Sequence, residues 1–381
     1  MPCIVCAPRG LFRCGFAHAA GGQWVLKGFC MNYDLGTFVS ALFTDPVLAL
    51  IVILTLGATM VNGATDAPNA IATVVGTKAM RPNTSILMAA ICNFIGLVGI
   101  TMVSSAVAHT IFNMVDFGGN DEAALIALAA AMVAIIVWGI AAWYFGIPTS
   151  QSHSLIAGIT GAAIALQGGL AGVNGAEWMK VVYGLVISTC LGFGTGWLFT
   201  RLIKVLCRNA HRGRTNTFFK WAQIVSGAGV AILHGAQDGQ KFLSLCMLGI
   251  MLALSGSSDT SAVHFPLWLI VLVSGAMALG TALGGKKIIK SVGMEMVKME
   301  QYQGFAACMS ACFCIGLATF TGMPVSTTHT KTTAIMGVGA EKSMRNVKWG
   351  LAGRMVLTWV LTFPGCGLLA FAFTHLFLAF L

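Results

Sequence analysis

Charged side chains are scarce in this chain. Asp, Glu, Lys and Arg make up 9% of its 381 residues, and only 12 of those residues are acidic. A soluble domain carries about 25% charged residues, so a water-facing globular surface is excluded. Stretches that alternate apolar and polar residues over about ten positions are also missing, which excludes a transmembrane β-barrel. What is present is a series of runs of about 20 apolar residues, the length at which an α-helix crosses hydrocarbon. The chain is 57% hydrophobic and has a mean hydropathy of +0.84. It therefore reads as an all-α integral membrane protein with about 10–12 transmembrane or re-entrant helices. The net charge of +10 does not indicate nucleic acid. Its Lys and Arg residues lie in short loops, where they act as topology signals.

Cysteine is plentiful but offers no framework. Most of the 12 lie inside apolar runs, as Cys308, Cys312 and Cys314 do, where cysteine acts as a small hydrophobe. The first thirty residues carry four Cys, three basic residues and no acid. A signal-peptide core is absent there, and Cys3, Cys6, Cys14, His18 and Cys30 match no zinc-ligand spacing. The expectation is an unstructured extension over 1–30, with the functional chain starting near Met31.

Apolar segments fall at 46–77, 83–103, 123–145, 147–168, 177–200, 216–254, 265–284, 303–322, 324–340 and 349–379. The run from Pro46 to Thr77 would be about 48 Å long as one helix, against a hydrocarbon core of about 30 Å. "NGATDAPNA" (62–70) places Gly, Asp and Pro at its centre and predicts a break. The run from Trp221 to Leu254 is equally long, and "HGAQDGQKF" (234–242) is read as its interruption.

Two motifs recur in the same order. "GATD" ends at Asp66 and "GAQD" at Asp238, an offset of 172; "GIPTSQSHS" (146–154) recurs as "GMPVSTTHT" (322–330), an offset of 176. The chain thus reads as a first transmembrane repeat over 45–200, a basic linker over 201–215 and a second repeat over 216–379. Loop charge relates the two. Lys78 and Arg81 face a counterpart loop carrying only Asp259. Asp116, Asp121 and Glu122 face one with Lys286, Lys287, Lys290 and Lys298. The nearly neutral 169–180 faces Lys342, Arg345 and Lys348. The basic bias flips at each matched loop, so the repeats are read as inverted, with the linker cytoplasmic and the segment before Pro46 outside. Inverted repeats with interrupted helices point to a secondary transporter whose site lies between them. The expectation is a multi-pass protein of the cytoplasmic (plasma) membrane.

The polar residues inside the apolar runs carry the chemistry. Asp66 and Asp238 are ionisable groups within spans, which is a functional hypothesis by default. Carboxylates suit a hard cation or a proton. Asn62, Asn69 and Gln237 add neutral amides nearby. The hydroxyl clusters Thr149-Ser150-Gln151 and Ser326-Thr327-Thr328 each follow a Pro and open an apolar run, the pattern of a capped helix N-terminus. Such ends present free N–H groups and partial positive charge, which suits a phosphate-like anion. His153 and His329 are matched between the repeats and read first as holding the hairpins. Lys241 and Lys331 are cations in apolar helices, able to neutralise an anion or a carboxylate.

These motifs resemble the inorganic phosphate transporter (PiT) family, whose repeats carry a G-A-N-D-x-x-N-A-like element and P-x-S-x-T-H-like hairpins. The matching segments are "GATDAPNA", "IPTSQSH", "HGAQDGQKF" and "MPVSTTH", in family order over roughly 45–379. The resemblance implies a cation-coupled phosphate symporter, homodimeric and working by alternating access. It implies that Asp66, Asn69 and Asp238 lie at the coupling-ion and phosphate sites, and that Thr149, Ser150, Ser326, Thr327 and Thr328 line the phosphate site. Thr65 and Gln237 replace the family's Asn before each Asp, which leaves the coupling ion open between Na⁺ and H⁺. No cofactor is expected.

A sulfate permease of the same architecture is the nearest rival. Phosphate can donate a hydrogen bond to a carboxylate and sulfate at neutral pH cannot, so two Asp favour phosphate. An intramembrane hydrolase using Ser152–His153 or His234–Asp238 is a poorer fit, because neighbouring Ser and His rarely reach attack geometry and catalysis needs no duplication. A purely structural scaffold leaves the buried Asp pair without a reason.

Overall fold

The computed structural model describes residues 16–18, 24–26, 34–118, 120–145, 149–255, 264–284, 289, 292 and 296–380. Apart from one short strand pair, it is helical. Helix α1 spans Leu35–Thr44 and α2 Pro46–Thr65. The start of α2 is set by Asp45, whose side chain accepts from the backbone N–H groups of Val47 and Leu48, with Pro46 pre-organising the first turn. The break predicted in the first repeat is present. Helix α2 ends at Thr65, and α3 (Ala67–Gly76) begins beyond Asp66. Pro68 supplies the cause, since it has no N–H to continue the ladder.

Helices α4 (Pro82–Val103), α5 (Ala106–Phe112), α6 (Asp121–Phe145), α7 (Gln151–Gln167) and α8 (Gly175–Leu206) complete the first half. The second half begins with α9, and here the sequence expectation fails. Arg212–Ser255 is one continuous helix of 44 residues, so "HGAQDGQKF" does not interrupt it. The position matching Pro68 is Gln240, whose backbone N–H is available to the helix. Its side chain accepts from Ala108 N at 3.3 Å and donates to Ser104 O at 2.7 Å. Helices α10 (Leu267–Leu283), α11 (Gln301–Phe320), α12 (Thr327–Lys342) and α13 (Trp349–Phe380) follow.

Among the described residues, six helical segments are long and apolar enough to cross a membrane, judged by length and composition: 46–76, 82–103, 121–145, 175–206, 301–320 and 349–380. The N-terminal stretch, read as lacking structure, holds one antiparallel pair, Phe16–His18 with Trp24–Leu26. Cys3, Cys6, Cys14 and Cys30 lie outside the described residues, as do Pro148, Asp259, Lys286, Lys287 and Lys290.

The two halves pack crosswise. Helix α4 lies on α9 and α10 on α2; α7 lies on α13 and α12 on α8; α6 lies on α13 and α11 on α8. Small residues permit the closest crossings. A Cβ on Gly96 would stand 1.9 Å from Ile232 O, and one on Gly235 would stand 2.2 Å from Asn93 O. Gly63 and Gly280 meet Met277 O and Met60 O in the same manner across α2 and α10. The glycines of "HGAQDG" therefore serve contact with α4 and leave the helix intact.

Candidate functional site

Asn62, Asp66 and Asn69 are spaced i, i+4, i+7, which puts them on one face across the α2–α3 break. All three are at most 2% exposed. Asp66 Oδ2 accepts the backbone N–H of Gln151 at 3.1 Å, at the start of α7. Asn69 Nδ2 donates to Thr328 Oγ1 at 2.8 Å, at the start of α12. Asn62 Nδ2 reaches Asp238 Oδ2 at 3.5 Å. Asn62 Oδ1, Asp66 Oδ1 and Asn69 Oδ1 are buried without a hydrogen-bond partner. Buried polar atoms are rarely left so.

His234, Asp238 and Lys241 repeat that spacing on α9, and each is at most 1% exposed. Here most polar atoms have hydrogen-bond partners, His234 Nε2 being the exception. Asp238 Oδ1 accepts from Lys241 Nζ at 2.7 Å and from Ser152 Oγ at 3.2 Å. Its Oδ2 accepts from Thr327 Oγ1 at 3.0 Å and lies 3.2 Å from His234 Nε2. Lys241 Nζ also donates to Ser152 Oγ at 2.6 Å and to Val325 O at 2.7 Å, which uses all three of its donors. His234 Nδ1 lies 3.0 Å from Asn93 Oδ1, and Asn93 Nδ2 donates to Thr281 Oγ1. Among the described residues, Asp66 has no ion-pair partner within 4.0 Å. A carboxylate buried in low dielectric without compensation is costly.

The two hydroxyl clusters are helix N-termini, as expected. Ser150 caps α7 by accepting from His153 N at 3.4 Å, and Ser326 caps α12 by accepting from His329 N at 3.2 Å. Thr149 stands just before the first cap and is buried. Beyond the first turns, the His153 and His329 rings meet edge to face with centroids 4.3 Å apart. His153 also packs on Phe363, and His329 stacks on Trp359 at 3.7 Å. The two histidine rings thus meet between the hairpins. Both polar atoms of the Gln151 side chain are buried without a partner.

Two predicted residues are not brought to the carboxylates. Gln237 donates to Met323 O at 2.9 Å and accepts from Thr319 Oγ1 at 2.7 Å, so its amide ties α9 to the second hairpin. Lys331 is buried and donates to Cys308 Sγ at 3.0 Å, beside Thr73 Oγ1. Two contributors were missed as ligands. Ser152, in the hydroxyl-rich segment 148–153, bonds Lys241 and Asp238, and His234 meets Asp238 at 3.2 Å. The offset that pairs Asp66 with Asp238 also pairs Asn62 with His234, which was the available signal. The Ser152–His153 pair is not formed, since Ser152 Oγ engages Lys241 and Asp238 while the His153 ring packs on aromatic groups; His234 Nε2 and Asp238 do meet, at 3.2 Å. A cavity lined by Asn113, Asp116, Phe117, Asn174 and Glu177 lies elsewhere and holds none of these residues.

Fold and site together define a multi-pass membrane transporter, with a buried polar centre where two hairpin helices and a broken helix converge. The comparisons narrow the class. The phosphate transporter family profile matches residues 62–370. The chain is 38% identical over 315 residues to the probable low-affinity inorganic phosphate transporter of Bacillus subtilis (strain 168), covering 83% of this chain and 92% of that one. It is 34% identical over 340 residues to the probable low-affinity inorganic phosphate transporter of Rhizobium meliloti (strain 1021), covering 87% and 97%. A solved structure described as the sodium-dependent phosphate transporter has the same fold, with TM-score 0.81 at 22% identity over 88% of this chain and 100% of that chain. The chain belongs to the phosphate transporter family. Its relatives carry phosphate and are not enzymes.

Proposed function

We propose that this protein is a Na⁺-coupled phosphate symporter that works by alternating access. The observation that carries the coupling is the set of three buried oxygens, Asn62 Oδ1, Asp66 Oδ1 and Asn69 Oδ1, without partners. Carboxylate and amide oxygens are ligands for a hard cation, and among the described residues the Asp66 charge has no ion-pair partner within 4.0 Å. A proton would need only one carboxylate oxygen; three oxygens on one face favour Na⁺. The solved structural neighbour is described as sodium-dependent, which agrees.

Phosphate then binds where α7 and α12 begin. The ligands are the first-turn N–H groups and the side chains of Thr149, Ser150, Gln151, Ser326, Thr327 and Thr328, with Asp66 and Asp238 accepting from a protonated phosphate oxygen. Coupling has an electrostatic cause. Asp66 sits on the N-terminus of α7, where an anion would otherwise be welcome, and a bound cation offsets its charge. The crosswise packing of the halves supports inverted repeats that rock against each other about this centre. The same reading places the protein in the plasma membrane as a homodimer with residues 201–215 cytoplasmic.

Phosphate binding to purified protein tests this. Exchanging choline for Na⁺ is expected to raise phosphate affinity by about tenfold or more, the effect of about 1.4 kcal/mol of coupling, and sulfate is expected not to compete. Equal phosphate affinity in the two salts would exclude Na⁺ coupling, and displacement by sulfate would overturn the substrate.

A further inference from the structure

The two repeats build the same scaffold and furnish it differently. An offset of 172 aligns Asn62 with His234, Asp66 with Asp238 and Asn69 with Lys241; an offset of 176 aligns Gln151 with Thr327 and Ser152 with Thr328. The hydrogen bonds respect this alignment. Each Asp accepts from the first helical residue of its own hairpin, Asp66 from the backbone N–H of Gln151 and Asp238 from the side-chain hydroxyl of Thr327. Each residue three positions later donates to the second residue of the opposite hairpin, Asn69 to Thr328 and Lys241 to Ser152. Lys241 is therefore the two-fold counterpart of Asn69.

The chemistry at that shared position is opposite. In the first repeat the amides of Asn62 and Asn69 leave oxygens unpartnered around Asp66. In the second repeat the matching residues are His234 and Lys241. The ammonium lies among three oxygens, Asp238 Oδ1 at 2.7 Å, Ser152 Oγ at 2.6 Å and Val325 O at 2.7 Å. These are a carboxylate, a hydroxyl and a carbonyl, the ligand types that a hard cation takes. The group is 0% exposed.

We propose that Lys241 is a tethered cation filling, in the second repeat, the place of the mobile cation held by the first, so that one cation accompanies each phosphate. This rests on the symport reading and adds its stoichiometry. Asp238 then serves as the fixed counterion of Lys241, and Asp66 alone answers to the transmembrane cation gradient. With Asn at both positions the two repeats would offer two cation sites; the Lys makes the cycle carry one positive charge fewer.

The test is dual-label uptake into proteoliposomes of the full chain, with radiolabelled sodium and radiolabelled phosphate counted together, and initial phosphate uptake followed against Na⁺ concentration. The expected flux ratio is one sodium per phosphate, with a Hill coefficient of one. Lys241→Asn, which installs the first-repeat residue, is expected to raise both toward two, whereas Lys241→Arg keeps a ratio of one. A wild-type ratio of two with uptake still driven by Na⁺ would overturn the inference and leave the symport reading standing. That outcome needs no variant to fold. If a proton gradient drives uptake instead, protons are counted with a pH-sensitive dye and the same ratio decides. Phosphate entry indifferent to both gradients would overturn the symport reading and this inference with it.

Discussion

Asp66 Oδ2 accepts the backbone N–H of Gln151 at 3.1 Å, so a buried carboxylate sits against the N-terminus of the first hairpin helix. The bond joins a helix break to the proposed anion site, and it gives the two sites a shared group. Asp66→Asn removes the charge and keeps the shape. A hydrogen bond to a charged group contributes about 1.5–3 kcal/mol, so the apparent affinity for Na⁺ is expected to fall by roughly 10–100-fold. Uptake kinetics across a Na⁺ series measure this; an unchanged Na⁺ dependence would remove Asp66 from the coupling site.

Asp238 and Lys241 form a fully buried pair. Breaking such a pair from one side strands a charge, at a cost of about 3–5 kcal/mol, while replacing both partners is far milder. Asp238→Asn is therefore expected to lower unfolding stability in detergent by that amount. The double variant Asp238→Asn, Lys241→Met is expected to recover most of the loss. If the double variant is as unstable as the single one, the pair does not act as a unit.

The close crossings make a sharper packing prediction. Gly96→Ala would place its Cβ 1.9 Å from Ile232 O, so α4 and α9 must separate. Overpacking of this kind costs about 1–3 kcal/mol or more, and the folded yield is expected to fall accordingly. Gly194 has nothing within 4 Å of a built Cβ, so Gly194→Ala is expected to be neutral or slightly stabilising. Thermal unfolding of the two variants side by side distinguishes them.

Pro68 holds the break open. Pro68→Ala restores an N–H that can continue the ladder from α2 into α3. The variant is expected to fold and to bind Na⁺ more weakly by about tenfold, through loss of the orientation of Asn62, Asp66 and Asn69. Wild-type Na⁺ affinity in this variant would show that the break is incidental to the cation site.

Much of the site was readable before the fold. Asp66 and Asp238 stand out because a carboxylate in an apolar run has few innocent explanations, and Ser150 and Ser326 announce helix starts because each follows a Pro and precedes an apolar helix. The membrane class followed from the lack of charge. Helix α9 stays continuous for a physical reason. Glycine weakens a helix without preventing it, and Gly235 and Gly239 are used for contact with Asn93 and Leu97 of α4. Only Pro68 removes a backbone donor, and its partner position carries Gln240. The reach of Gln237 toward Met323 and of Lys331 toward Cys308 depends on which helix lies opposite, which no local pattern states. The asymmetry between Asn69 and Lys241 was already present in the aligned motifs, but its meaning required the hydrogen bonds.

A cation gradient is expected to drive phosphate through this centre. The most direct measurement is radiolabelled phosphate uptake into proteoliposomes with an imposed inward Na⁺ gradient, an imposed proton gradient, or neither, with sulfate as competitor. Accumulation driven by the Na⁺ gradient and unaffected by sulfate is expected. Phosphate entry that ignores both gradients, or accumulation of labelled sulfate in its place, would contradict it.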